Sequence, residues 1–142
     1  MAEHSPVIKT FLELVRIDSE SKNERRVCDY VKKRLAPHAA KITEDDTGDK
    51  IGGNCGNLVI EIQGDTPGAP KILLNAHMDC VKPANGVEPA IEGDIISSAG
   101  ETVLGADDKA GIAEILEAVR VLKQEGIPHG DLVLAITVAE EM

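Results

Sequence analysis

The 142-residue sequence contains no Trp and only two aromatic residues, Phe11 and Tyr30, so its core must be built from aliphatic side chains. It has 15 basic against 25 acidic residues, and the net charge of −10 argues against nucleic-acid binding, which requires clustered Lys and Arg. No apolar run approaches the ~18 residues of a membrane-spanning helix, and residues 1–20 lack a signal-peptide pattern. These absences predict a cytoplasmic protein that binds neither nucleic acid nor membranes.

Cysteine is also scarce in this sequence. Cys28, Cys55 and Cys80 are odd in number, and their spacing does not match the paired CxxC pattern of zinc sites. We therefore expect reduced thiols, as in a protein of the cytosol, rather than disulfides or a thiolate metal site.

Hydrophobic periodicity indicates helices that alternate with short strands, which predicts an α/β sandwich. Segment 132–139 is almost wholly apolar, which is typical of a central strand covered on both faces. Ser21 and Glu24 have the spacing of a capping box before the second helix. Residues 44–57, rich in Asp and Gly, indicate a turn. The predicted helices begin at Ser5-Pro6, near Ser21 and at Asp107 or Asp108, and the predicted strands lie near 58–62, 72–74, 91–96 and 132–139.

Three polar clusters lie at the ends of predicted elements. His77-Met78-Asp79 follows one buried strand, Glu140-Glu141 follows another, and Asp107-Asp108-Lys109 begins the last helix. In open α/β sheets, ligands bind beyond the carboxyl ends of the strands, and crossover helices begin on that same side. We therefore expect the three clusters to lie close together.

His77 and Asp79 are two residues apart on a predicted strand, so their side chains point the same way. Asp79 can then accept a hydrogen bond from one ring nitrogen of His77 and leave the other nitrogen free for a metal ion. A partly buried histidine paired with a loop aspartate, without any metal, explains the same tripeptide and stays open at this point.

The two acidic pairs also allow two interpretations each. Asp107 and Asp108 fit ordinary N-capping of a helix, but a carboxylate at this place could also bridge two cations. Glu140 and Glu141 are either exposed beyond a strand end, or one binds a metal while the other acts as a general base. Imidazole and carboxylate donors without thiolate favour zinc, manganese or cobalt.

Three segments, LNAHMDCVKPANGV, IEGDIISSAGETVLGADDKAGIAEILEAVRVLK and ITVAEE, resemble peptidase T and its close relatives in the clan of co-catalytic zinc peptidases and aminoacylases. The resemblance extends over nearly the whole chain, and LGADDKAGIAEI is an especially specific part of it. It implies an α/β fold of the zinc-exopeptidase type, with a mixed sheet flanked by helices. It further implies a hydrolase that removes N-terminal residues from short peptides, with tripeptides favoured.

The resemblance also implies a role for each site residue. His77 and Glu141 would each bind one of two zinc ions, with manganese or cobalt as alternatives, and Asp107 would bridge the two ions. Asp79 would orient His77. Glu140 would act as the general base on a metal-activated water.

Several expectations concern the extent of the resemblance. Residues 1–142 match about the first third of such an enzyme and are interpreted as the N-terminal part of an incomplete catalytic domain, without the family's remaining metal ligands and its lid domain. Asp108 would help the turn, where the family often has a cis peptide, while His4, His38 and His129 are expected at the surface.

We expect the isolated chain to be inactive and to expose apolar surface, and a homodimer is one expected form of the full-length enzyme. The alternatives are another amidohydrolase of the clan (a dipeptidase, aminoacylase or carboxypeptidase) and a truncated, non-enzymatic fragment.

Overall fold

The computed structural model describes residues 5–142, which form helices and strands in alternation. The helices are α1 Pro6–Val15, α2 Arg25–Leu35, α3 Thr47–Ile51 and α4 Ala106–Gln124. The strands are β1 Lys41–Glu44, β2 Leu58–Ile62, β3 Ile72–His77, β4 Pro89–Glu92, β5 Ile95–Ser98 and β6 Leu132–Thr137. Among these residues, no helix is long and apolar enough to cross a membrane.

The larger sheet is mixed and has the strand order β1-β2-β6-β3. β6 lies between β2, to which it is antiparallel, and β3, to which it is parallel. The last strand in the sequence is therefore central, as predicted. β4 and β5 form a separate antiparallel hairpin. This arrangement confirms the predicted α/β fold with a mixed sheet and flanking helices, whereas the assignment of residues 1–142 to one part of a catalytic domain stays a prediction.

The two faces of the mixed sheet differ in burial. On one face, Leu134 and Ile136 of β6 belong to a core cluster that includes apolar side chains of α1, α2 and α4. On the opposite face, Val133 and Ala135 are only half-buried, and Leu73, which is paired with Val133, is 63% exposed. The predicted coverage of β6 on both faces is therefore wrong for residues 5–142, because the described helices place their apolar side chains in a single cluster. The expected exposed apolar surface is present on the other face.

The second helix begins later than predicted, at Arg25. Ser21 and Glu24 each form a hydrogen bond to a residue that is far away in the sequence. Ser21 Oγ donates to Asp79 Oδ2 at 2.7 Å. The Glu24 carboxylate accepts the backbone N–H groups of Lys22 and Ala139. Glu24 makes no capping hydrogen bond to α2, so the predicted capping box is wrong.

Glu44 joins α2 to the segment that follows β1. Its carboxylate is 2.5 Å from Arg25 Nη2, pairs with the Lys32 ammonium and accepts the N–H of Gly56 at 3.0 Å. The hydrogen bond from Arg25 is the main reason why the pKa of Glu44 falls to about 2, and the contacts with Lys32 and Gly56 lower it further. These contacts anchor residues 44–57, which include the short helix α3 in addition to the predicted turn.

We expect the substitution Glu44→Gln to lower the free energy of unfolding at pH 7 by about 2 kcal/mol, a figure reduced for the partial exposure of both basic partners. The folded-state pKa of Glu44 is depressed, so its contribution is complete above the unfolded pKa of about 4.3 and is lost as pH falls towards the folded value. The difference between wild type and variant should therefore shrink by about half at pH 3. Urea denaturation at both pH values measures it. Glu61→Gln, at an exposed position of β2, is the control and should change little at either pH.

Candidate metal centre

His77 is the last residue of β3 and is paired with Thr137 of β6. Because β3 and β6 are parallel, their carboxyl ends meet at one edge of the sheet, and the residues that follow each strand come together there. His77 is 8% exposed at this edge. Acidic side chains from all three polar clusters lie within 4 Å of the His77 ring.

The His77 ring lies among acidic side chains. Its Nδ1 is 3.0 Å from the backbone oxygen of Asp79 and 3.3 Å from Asp79 Oδ1. Its Nε2 is 3.0 Å from Asp107 Oδ1 and 3.8 Å from Glu140 Oε2. When Nδ1 donates to Asp79, Nε2 is left facing the other two carboxylates, which is how a metal-binding imidazole is oriented.

The pKa of His77 reports the electrostatics of this edge. Burial opposes the charged form, but the hydrogen bond to Asp107 and the charge of Asp79 outweigh it, and the pKa of His77 is raised. The carboxylates around Nε2 therefore favour a positive charge at this place. A proton on the ring provides one such charge, and a divalent cation would provide two while also accepting oxygen ligands.

Asp79 is fully buried and holds more than the histidine. Its Oδ2 accepts hydrogen bonds from Ser21 Oγ at 2.7 Å and from the N–H of Glu141 at 3.0 Å, and its Oδ1 accepts the N–H of Glu140 at 3.0 Å. Burial would raise the pKa of Asp79, but these hydrogen bonds and the charge of His77 lower it. Asp79 is thus a buried carboxylate that is placed to hold both the His77 ring and the Glu140-Glu141 backbone, and the second of these contacts was not expected from the sequence.

Asp107 and Asp108 have different partners. The Asp107 side chain is 85% exposed and faces His77, whereas Asp108 Oδ1 accepts the N–H of Gly111 at 3.1 Å inside the first turn of α4. Both residues depart from helical backbone angles, and the peptide bond between them is cis. A Cβ at Gly111 would lie 2.4 Å from Asp108 Oδ1, so a larger residue there would displace the Asp108 carboxylate from this turn. Asp108 is therefore the capping residue, and Asp107 is left free to act as a ligand.

Lys109 was part of a sequence cluster, but no role was predicted for it. Its side chain is fully buried, and its Nζ donates to the backbone oxygen of Ile17 at 2.6 Å. Burial lowers the pKa of Lys109, and the neighbouring thiol of Cys80 opposes that shift. The buried cation fixes the start of α4 against the connection between α1 and α2. A lysine inside an otherwise apolar helical stripe is the one sequence signal that could have indicated this.

The turn at Ala139 brings the two glutamates to the same side. Ala139 has a φ of 54°, so the chain leaves the alternation of a strand immediately before Glu140. One ligand atom from each of His77, Asp107 and Glu141 lies within 4.8 Å of the others, and Glu140 stands next to this cluster. One imidazole and two carboxylates fit zinc, manganese or cobalt. The three cysteines are free and buried and contribute no donor to the cluster.

Solved structures share this fold. The aminopeptidase PepT of Bacillus cereus is 43% identical, with a TM-score of 0.91 over 96% of this chain and 36% of its own. A tripeptidase of Staphylococcus aureus is 42% identical, with a TM-score of 0.90 over 96% of this chain and 36% of its own. The fold is therefore that of a peptidase catalytic domain. The sequence profile of peptidase family M28 matches residues 57–142, and the chain belongs to this family.

The relatives are longer than this chain. The YqjE protein of Bacillus subtilis, which is uncharacterized, is 43% identical over 141 residues, or 99% of this chain and 38% of its own length. The chain thus spans a little over a third of the length of each of these three relatives. The resemblance to peptidase T inferred from the sequence is confirmed.

The histidines outside the cluster provide a control for a metal-binding test. His129 lies at the amino end of β6, where its Nδ1 is 2.7 Å from Gly130 O, and both His129 and His38 are half-buried rather than fully at the surface. His4 lies outside the described residues.

In the full-length protein, we expect His77→Ala to weaken zinc binding by about 100-fold or more. Loss of a residue that only orients a metal ligand lowers affinity by about 10- to 100-fold, and loss of the ligand itself should lower it at least as much. Competition titration against a chromophoric chelator measures the affinity. His129→Ala should bind zinc like the wild type. Equal affinities for the two variants would show that His77 is not a ligand.

Proposed function

We propose that the full-length protein is a metal-dependent aminopeptidase of the peptidase T type, which removes N-terminal residues from short peptides. The observation that carries this proposal is the position of the Glu140 carboxylate, 3.8 Å from His77 Nε2 and beside the three-residue ligand cluster. The aminopeptidase PepT and the tripeptidase that resemble this chain support the choice of substrate.

His77, Asp107 and Glu141 would hold the metal. Asp107 is exposed and lies beside His77, so it would be the ligand shared by two zinc ions in the full-length protein, with manganese or cobalt as alternatives. Bound at this place, divalent metal would supply a water activated near neutral pH and a Lewis acid for the scissile carbonyl.

The chain's own residues would then move the proton and hold the geometry. The Glu140 side chain is 60% exposed, so its carboxylate can take a proton from water and return it to the leaving amine. Asp79 would keep the His77 ring in the tautomer with Nδ1 protonated, since Nδ1 faces its backbone oxygen and its carboxylate. The same carboxylate accepts the N–H groups of Glu140 and Glu141 and so would fix the base and a ligand together.

The other functions considered from the sequence differ in their requirement for a free amine. An aminopeptidase hydrolyses a tripeptide with a free N-terminus and rejects its N-acetylated form, whereas an aminoacylase accepts the acetylated substrate. A carboxypeptidase would release the C-terminal residue instead. Mass spectrometry of the products from both forms of trialanine therefore separates these three activities. A dipeptidase would cleave dialanine instead, and a non-enzymatic chain would release nothing from any of the three substrates. We expect the 142-residue chain alone, with the three ligands of its cluster, to show no turnover.

For the full-length protein, we expect Glu140→Gln to lower kcat on trialanine by about 100-fold or more, because it removes the general base. Metal content, measured by plasma mass spectrometry, should stay at the wild-type level. Glu141→Gln should instead lower the metal content. Glu125→Gln, at an exposed position just after α4, is the control and should leave both quantities unchanged. Wild-type turnover in Glu140→Gln would rule out Glu140 as the base.

A further inference from the structure

Glu24 is a buried carboxylate that the mechanism above does not use. The residue is fully buried, and its Oε1 accepts the N–H of Lys22 at 2.9 Å and the N–H of Ala139 at 3.0 Å. Its Oε2 is also buried and has no hydrogen-bond partner among the described residues. A buried oxygen without a partner is unfavourable, and the two amides bound to Oε1 are the contacts that offset this cost.

The two amides that Glu24 accepts belong to unusual backbone positions. Lys22 has a φ of 75° and Ala139 a φ of 54°, and within residues 5–142 these are the only residues other than glycine with positive φ. Such conformations persist where the surrounding structure holds them in place. A single oxygen, Glu24 Oε1, therefore binds two left-handed turns, at Lys22 and Ala139, that lie 117 residues apart in the sequence.

The Ala139 turn directly precedes the proposed base and ligand. The N–H groups of three consecutive residues, Ala139, Glu140 and Glu141, are accepted by buried carboxylates, the first by Glu24 and the other two by Asp79. These three hydrogen bonds lie on the segment by which the chain leaves β6 and from which both glutamate side chains project.

We propose that Glu24 is a positioning residue for Glu140: it holds the left-handed turn at Ala139 and thereby keeps the base beside the metal cluster. This inference rests on the proposed peptidase function. In this role Glu24 contacts neither substrate nor metal. It acts because its side chain is long enough to accept the N–H of Ala139.

Four variants of the full-length, metal-loaded protein separate acceptor reach from charge. Glu24→Gln keeps an oxygen acceptor at the same reach and loses the charge, whereas Glu24→Asp keeps the charge and shortens the reach by one methylene. Glu24→Ala removes both. Glu117→Ala is the matched control, because Glu117 on α4 also has a buried oxygen without a partner but contacts neither the turn nor the cluster.

Hydrogen exchange of the peptide that contains residues 139–141 is the readout that does not depend on activity. We expect exchange at these amides to accelerate about tenfold or more in Glu24→Ala and Glu24→Asp, and to stay within about threefold of wild type in Glu24→Gln and Glu117→Ala. For trialanine, kcat should fall by about 100-fold in the first two variants, with KM within about twofold of wild type, because a displaced base affects the chemical step. Because the same turn also places the ligand Glu141, metal content should stay at the wild-type level only in Glu24→Gln and Glu117→Ala, and kcat is therefore compared per bound metal.

The outcomes separate this proposal from the function on which it rests. If Glu24→Asp behaved like wild type while Glu24→Gln lost activity, the charge rather than the acceptor would matter, and the proposal would be wrong. Unchanged exchange at residues 139–141 in the Ala and Asp variants would also contradict it. If wild-type protein hydrolysed no peptide, the proposed function would fail, while the exchange data would still decide whether Glu24 holds the turn. Should Glu24→Ala not fold, the comparison of Asp with Gln gives the same decision.

Discussion

The candidate centre depends on the buried carboxylate of Asp79. It lies against the His77 ring, accepts the Ser21 hydroxyl, and accepts the two backbone N–H groups that follow the turn after β6. A charged group without water is costly to bury, and here the cost is offset by donors from three separate parts of the chain. Each donor is also fixed by its bond to the carboxylate. The same interaction that makes a buried aspartate tolerable therefore sets the geometry of the candidate ligands.

Negative charge is concentrated around His77 in a way that packing alone does not require. Asp107 and Glu140 both approach Nε2, while Asp79 lies on the Nδ1 side. Like charges at such distances repel unless a cation is present, which is a common reason for clustered carboxylates in proteins. The buried Lys109 lies at the start of α4, but its ammonium is directed to the Ile17 carbonyl rather than to these acids. Among the contacts described above, His77 is the side chain that faces these exposed acids, and one imidazole can carry at most a single positive charge against them.

The sequence was sufficient to predict the α/β fold, the central position of β6 and the grouping of the three polar clusters, because each depends on local periodicity and on the general geometry of parallel strands. It was not sufficient for Ser21 and Glu24. Their spacing is that of a capping box, yet Ser21 donates to Asp79 and Glu24 accepts the N–H of Ala139, and a local pattern carries no information about such distant partners. The prediction that both faces of β6 are covered was also wrong for residues 5–142. An apolar strand sequence does not show which other residues cover each of its faces. The assignment of a ligand or base role to each acidic residue came from family resemblance, since spacing alone left it open.

The position of β6 between β2 and β3 has a consequence for the folding of the sheet during synthesis. β6 follows β2 and β3 in the sequence, so during synthesis both are complete before the strand that separates them exists. Until then each has an unpaired edge along which it can pair wrongly, either with the other or with a neighbouring molecule. Folding of the sheet must wait for contacts of high sequence separation, which slow folding in general. The polypeptide leaving the ribosome would therefore remain vulnerable to aggregation until β6 has been synthesised, and a chaperone that shields β2 and β3 during that interval would contribute most.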